Sequence, residues 1–324
     1  MKVRKKGMSL VVLGIMLIFI SGCGKIEGQT VAEVSTSNNE DVITLSDGTI
    51  IYPDGTMKLA LGASAWGMYD FSGNLLHNGD ILPVRNDRIA GKISFFQNLP
   101  REKTEYALII LVDYEMKYFS VEGKTYSDYR FTLAGEDSID INIELALPEN
   151  AKVLTQLIVF EPGLKELAWE GEGCADFLDT TIFYATSYCL REYQYDEADY
   201  VFCNDLKKSA SQNMSIFMAK DLEEPMVMPT CNSGDEVKIF LGNGGLDIET
   251  TYLMIAFLNW EQSLIEGEPY KIFKLTGAES YYYDLTVPEV DEASPYQVFL
   301  LENPFRHRMG DYYTGTLRTI IQSK

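Results

Sequence analysis

Histidine is almost missing from this 324-residue chain, which holds only His77 and His307. The side chain best suited to proton transfer near neutral pH is therefore scarce. The short motifs that would use a nucleophile or a metal are missing too: neither G-x-S-x-G nor H-E-x-x-H occurs, and no serine beyond the N-terminal segment has Lys three residues later. His77 lies in "LLHNGD" and His307 in "FRHRMG", and both are expected at turns or on the surface rather than in a catalytic centre. No C-x-x-C occurs, and 14, 13 and 27 residues separate Cys174, Cys189, Cys203 and Cys231, which fits no zinc pattern. Positive charge is in short supply as well, with 27 basic against 48 acidic residues and a net charge of −21. Such a chain repels nucleic acid and anionic lipid head groups. Patterns for amphipathic helices are sparse, the best being a short stretch at 204–214, "NDLKKSASQNM".

Long apolar runs are also few, and the one at the N-terminus is informative. Lys2, Arg4, Lys5 and Lys6 precede thirteen uncharged residues from Met8 to Ile20. A permanent helical span needs about 20 apolar residues, so this run is short. A positive flank, a short apolar stretch and small residues at its end make a secretory signal. Ile20-Ser21-Gly22-Cys23 resembles the lipobox of bacterial lipoproteins, where Leu is the more usual first residue. The resemblance implies a signal peptide over 1–22, cleavage before Cys23 and diacylglyceryl modification of that thiol. It places the protein outside the cytoplasm, anchored to the membrane through Cys23. The 302 residues after the first 22 carry 23 basic and 48 acidic side chains, a net −25. The polar segment 23–43 reads as a flexible tether.

What remains is rich in strand signals. "SIDINIEL" alternates Ile139, Ile141, Ile143 and Leu145 with Asp140, Asn142 and Glu144, as a half-buried strand does. "YALIILVDY", 106–114, is an apolar run that predicts a central strand covered on both faces. "TIIYPDGTMKLAL" places a Pro-Asp-Gly turn between two apolar stretches and predicts a hairpin. The Gly-rich "LGNGGLD" at 241–247 lacks the Lys-Ser/Thr of a phosphate loop and reads as a connection between strands.

The chain also repeats itself. "GKISFF" and "YALIILVDYEM" are matched later by "EVKIFL" and "TYLMIAFLNWEQ". Phe131-Thr132-Leu133-Ala134-Gly135 faces Phe273-Lys274-Leu275-Thr276-Gly277 at an offset of 142, which drifts to 145 at the first strand. A unit of this length is a domain rather than a solenoid repeat. The expected fold is all-β: two tandem antiparallel β-sandwiches over 44–165 and 175–324. They resemble immunoglobulin-like tandems, with Trp260 in a central-strand position, although the Cys-Trp-Cys set of antibody domains is missing.

Candidate site residues follow from composition. Cys23 is the lipid attachment point, and the other four cysteines allow two disulfides outside the cytoplasm. Two acidic–aromatic stretches, "WEGEGCAD" at 169–176 and "YQYDEADY" at 193–200, supply Trp169, Tyr193, Tyr195, Asp196, Glu197 and Asp199 as candidate ligand-binding residues. Neither has EF-hand spacing, so Ca²⁺ is only a candidate ion there and solvated acidic loops the plainer reading; no other cofactor or metal is expected. Side-chain alternation turns either Tyr282, or Tyr281 and Tyr283 together, away from the core, which adds Tyr282 as a candidate ligand-binding residue, with cross-strand packing in the sheet the plainer reading. The expected function is a non-catalytic binding module for a protein or glycan at the cell envelope. The alternative is a carboxylate-dependent, glycosidase-like hydrolase. A transporter's solute-binding protein fits less well, for want of alternating α/β patterns.

Overall fold

The computed structural model describes residues 35–36, 43–44, 50–51, 57–58, 63–99, 101–163, 183–192, 200–209, 216–221, 230–242, 249–277, 279–305, 313–316 and 318–324. Every regular element among them is a β-strand. The signal segment and Cys23 lie outside these residues. A four-stranded antiparallel meander comes first: β1 (Ser35–Thr36), β2 (Ile43–Thr44), β3 (Ile50–Ile51) and β4 (Met57–Lys58). The pairing of Ile51 with Met57 is the hairpin expected around Pro-Asp-Gly. β1 falls inside the stretch read as tether, so strand pairing starts earlier than 44.

The first sandwich contains β5 (Ala63–Asp70), β6 (Leu75–Leu76), β7 (Arg88–Asn98), β8 (Thr104–Val112), β9 (Glu115–Met116), β10 (Phe119–Val121), β11 (Lys124–Tyr126), β12 (Asp128–Leu133), β13 (Glu136–Ala146), β14 (Val153–Phe160) and β15 (Phe183–Cys189). One sheet runs β11-β10-β13-β7-β5-β6, and the other runs β12-β8-β14-β15 with β9 on β8. The second sandwich contains β16 (Lys207–Ser209), β17 (Phe217–Ala219), β18 (Thr230–Asn232), β19 (Glu236–Gly242), β20 (Thr250–Leu258), β21 (Glu261–Ser263), β22 (Lys271–Leu275), β23 (Ser280–Thr286), β24 (Ser294–Glu302), β25 (Tyr313–Gly315) and β26 (Thr319–Gln322). Its sheets run β16-β23-β19-β17 and β18-β26-β24-β20-β21, with β22 on β20 and β25 on β24.

Sheet assignment moves the boundary between the halves. Residues 183–189 fall within the stretch expected to belong to the second sandwich. Instead β15 pairs with β14 from Val153↔Cys189 to Val159↔Phe183 and so completes the first. The helix expected over 204–214 is also corrected, because Lys207–Ser209 pairs with Ser280–Tyr282 as the strand β16.

The repeat is explicit in the registers. Ile93 faces Ile141, as Ile239 faces Tyr283. Phe131 faces Tyr106, as Phe273 faces Tyr252, and Leu157 faces Ile109, as Phe299 faces Ile255. These pairs give an offset of 146 for the early strands and 142 from β12 onward. The sequence alignment at 145 would have set Ile93 against Lys238, because a one-residue slip exchanges the two faces of a strand. The equivalence reaches the parallel contacts: Ile81 bridges Cys189 in the first sandwich, where β18 pairs with β26 in the second. In each half, the order around the central strands is that of an immunoglobulin-like sandwich.

Alternation explains how the halves join. On β8, Tyr106, Leu108, Ile110 and Val112 enter the core of the first sandwich. Ala107, Ile109 and Leu111, on the opposite face, pack with Val153, Leu157 and Val159 against Leu253, Ile255, Phe257, Phe299 and Leu301 of the second. The alternate residues of β20 and β24, among them Met254, Ala256, Val298 and Leu300, fill the second core. Four sheets are thus stacked, and the two inner ones are apolar on both faces. Each aliphatic side chain withdrawn from water contributes about 1.5–3 kcal/mol before entropic losses, so this seam is a third core.

Two equivalent turns close the seam. Asp113-Tyr114 joins β8 to β9 and Asn259-Trp260 joins β20 to β21, with φ of 49°, 64°, 50° and 68°. Trp260 is therefore a turn residue rather than part of a central strand. Its indole N–H donates to the Pro162 carbonyl at 2.6 Å, while the Phe305 amide donates to the Tyr114 hydroxyl at 3.0 Å. Each copy thus reaches the end of the other's long strand. Arg318, fully buried, donates to the carbonyls of Phe160 and Glu161 at 2.7 and 2.6 Å, and its guanidinium lies 4.8 Å from the Trp260 ring centroid. Gln262 adds a polar link: it accepts from the Met116 amide at 2.7 Å and donates to the Tyr114 carbonyl at 2.9 Å.

A candidate binding face on the second sandwich

Of the ligand-binding residues picked out from the sequence, Tyr282 is the one within the described structure. Trp169, Tyr193, Tyr195, Asp196, Glu197 and Asp199 lie outside the described residues, as does Cys174. Alternation along β23 sends Tyr281 and Tyr283 into the second core and turns Tyr282 outward. It is half-buried, and what surrounds it was not evident from the sequence.

Cross-strand register builds a row through it. Lys207 pairs with Tyr282, Tyr282 with Phe240, and Phe240 with Phe217, so the row crosses all four strands of the outer sheet. The Phe217 and Phe240 rings stack at 4.6 Å with only 4° between their planes, and Phe240 and Tyr282 lie 6.1 Å apart. Phe240 is fully buried between its neighbours. The Lys238 and Lys207 ammonium groups stand 5.0 and 5.9 Å from the Tyr282 centroid. Both lysines also bind Asp284, Lys207 at 2.6 Å. Hydrogen bonds from Lys207 and then Lys238 hold the Asp284 carboxyl below the usual carboxylate range. The same Asp284 contact raises the Lys207 ammonium above its ordinary value.

The equivalent positions in the first sandwich are Gly67, Ser94 and Asp140. There the Ser94 hydroxyl donates to Asp140 at 2.5 Å, and Lys92 lies 2.9 Å from the same carboxylate. The inward positions beside them are apolar in both copies: Ile93 and Ile141 match Ile239 and Tyr283. The copies therefore agree where they face the core and at the outward Lys92 and Lys238, each bound to an aspartate, and differ where Gly67, Ser94 and Asp140 stand in place of Phe217, Phe240 and Tyr282. Lys207, Phe217, Lys238, Phe240 and Asp284 were missed in the sequence because no local motif joins them. The signal that finds them is the outward parity of β19 and β23 together with their register against β16 and β17.

Other titratable groups are structural. Tyr283 donates to Glu266 at 2.5 Å, and burial followed by that carboxylate pushes its phenol well up. Lys271 bridges Glu266 and Glu268 at 3.4 and 3.0 Å. His77 sits in a turn, where its amide donates to Asp80 at 2.7 Å. No disulfide joins Cys189, Cys203 and Cys231 to one another. Every way of pairing four cysteines into two bonds needs one of those three links, so the two-bond staple is not formed. Burial pushes the Cys231 thiol up to about 12 and raises that of Cys203. Among the described residues, no group of three or more His, Cys, Asp or Glu side chains is arranged to hold a metal ion. No described helix is long and apolar enough to cross a membrane.

No family model matches the chain, and no curated protein does. Among solved structures, red sea bream transglutaminase aligns at 6% identity and a TM-score of 0.21, over 80% of this chain and 31% of that one. The McoA multicopper oxidase of Aquifex aeolicus aligns at 13% identity and 0.18, over 80% of this chain and 65% of that one. A structure described as BspA_C_mut aligns at 8% identity and 0.21, over 80% of this chain and 98% of that one. The chain thus spans about a third of the transglutaminase and just under two thirds of the oxidase. These scores carry no argument, and the fold class stands on the strand pairing.

Proposed function

We propose that the chain is a non-catalytic binding module, held outside the membrane by a lipid on Cys23, that presents the Tyr282 face to a glycan or protein of the cell envelope. The observation that carries this reading is the divergence of the two copies. Both copies close their cores with apolar inward residues, and the second carries an aromatic row, partly exposed at Phe217 and Tyr282, where the first has Gly67, Ser94 and Asp140. Phe217 and Tyr282, partly exposed on either side of the buried Phe240, offer aromatic surface, and Lys207, Lys238 and Asp284 offer charged hydrogen-bonding groups beside it. Apolar area with a few placed polar groups is what ligand recognition uses. These side chains stand on paired strands rather than loops, which fixes their spacing. The tether and lipid expected at the N-terminus would keep that face on the outer side of the membrane.

A glycan array and an envelope pull-down, each run with the wild-type protein and with Tyr282→Ala, test the reading. A ligand retained by the wild type and weakened about tenfold or more by the substitution is expected, as for a central interface aromatic. No ligand in either format, together with a turnover assay that finds a substrate, would overturn it.

A further inference from the structure

A second surface feature lies on the first sandwich and is independent of the Tyr282 row. Arg85 and Arg88 are bridged in antiparallel fashion across a two-residue turn, Asn86-Asp87, whose φ values are 51° and 54°. Their backbones exchange hydrogen bonds of 2.9 and 3.0 Å, so the two arginines leave the same tight hairpin. Both line a groove of about 160 Å³ with Phe71, Pro83, Ile89 and Glu144.

The charges in this groove are unevenly met. The Arg85 guanidinium carbon lies 3.3 Å from the centroid of the Phe71 ring. No carboxylate among the described residues pairs with it. Arg88 reaches Glu144 at 3.5 Å, but with side chains 57% and 63% exposed this pair is weak and readily exchanged. Stacking on Phe71 restrains the guanidinium before any ligand arrives, which lowers the entropy lost on binding. Guanidinium groups suit the flat, two-oxygen geometry of a carboxylate. The acidic remainder of the chain does not forbid an anion here, because charges beyond a Debye length of about 8 Å are screened at physiological ionic strength.

We propose that this groove binds a small organic carboxylate, its anionic head on Arg85 and Arg88 and its apolar flank on Phe71, Pro83 and Ala90. The head can belong to a free acid or to the C-terminus of a peptide. The site stands or falls apart from the Tyr282 face.

Saturation-transfer NMR on the full-length protein tests it with benzoate, with benzamide, and with one short apolar peptide bearing either a free or an amidated C-terminus. Benzoate binding without benzamide binding identifies a free-acid site. Binding of only the free-ended peptide identifies a chain terminus as the source of the same chemistry. In either case Arg85→Gln should weaken binding at least about tenfold, since it removes a charge-assisted contact. Glu144→Gln should tighten it about two- to fivefold by releasing Arg88. Circular dichroism should show both variants folded, as these side chains are exposed. The proposal is overturned if neither acid binds, if the amides bind equally, or if a folded Arg85→Gln protein binds as the wild type does.

Discussion

Asp284 has two roles on one strand: it joins Lys207 to Lys238 and so frames the Tyr282 ring. Those hydrogen bonds lower its proton affinity in the folded state below the ordinary value of 3.8. A carboxyl depressed in this way contributes stability in full above its unfolded pKa and loses it as pH falls through the folded one. The expected outcome is that wild type exceeds Asp284→Asn in melting temperature at neutral pH, and that the gap closes as the solution is taken well below pH 3.8. The side chain is 41% exposed, so added salt should also narrow the gap. Thermal melts of both proteins over a pH series check this, and a gap that is constant or grows in acid would contradict it. The role of this residue was hidden in the sequence. Asp284 follows three tyrosines, and nothing local marks it as the partner of a lysine 77 positions earlier.

At the scale of elements, the turns after β8 and β20 break a local rule in the same way. A two-residue hairpin with φ > 0 at both positions favours Asn-Gly, yet the second place holds Tyr114 in one copy and Trp260 in the other. Holding a side chain in the left-handed region costs about 1–2 kcal/mol. Losing a buried Trp side chain costs about 3–5 kcal/mol, so the aromatic outweighs the strain. Trp260→Gly should therefore destabilise the protein by about 1–4 kcal/mol, even though it relieves the backbone. Trp260→Ala should be worse still, since it loses the ring and keeps most of the strain. Denaturant titrations giving wild type above Gly above Ala check the order; a Gly variant as stable as wild type would refute it. The strands were more legible than the turns. The run in β8 and the alternation in β13 foretold two covered faces and one, and both are observed. Period alone could not say that the second cover of β8 is the other copy of the domain. Nor could it fix the offset, since 145 and 146 differ only in which face each side chain takes.

Over the whole molecule, the two sandwiches behave as a symmetric pair fused in one chain. Each contributes an apolar sheet face, an aromatic turn and the end of a long strand to the seam. The sequence showed the duplication but not the docking, because an interface between repeats leaves no motif. Gln262 and Arg318 break the symmetry, since each reaches from the second half into the first; of the two, Arg318 is fully buried. The Arg318 side chain reaches from the residue just before β26 to the Phe160 and Glu161 carbonyls of the first sandwich, beside the Trp260 ring. A buried cation is costly to desolvate and stays only if its donors are used. Removing it leaves two carbonyls short of a donor, at about 1–3 kcal/mol for each buried group left unsatisfied. Arg318→Met keeps the apolar stem and discards the donors, so it should weaken the seam more than either sandwich core. Calorimetry is expected to show one transition for the wild type, because a seam as apolar as a core couples the two halves. In the Arg318→Met protein that transition should move down and broaden or divide, the halves melting with less reference to each other. A single, equally sharp transition at the wild-type temperature would mean that the apolar faces alone hold the sandwiches together and that Arg318 fills space rather than ties them.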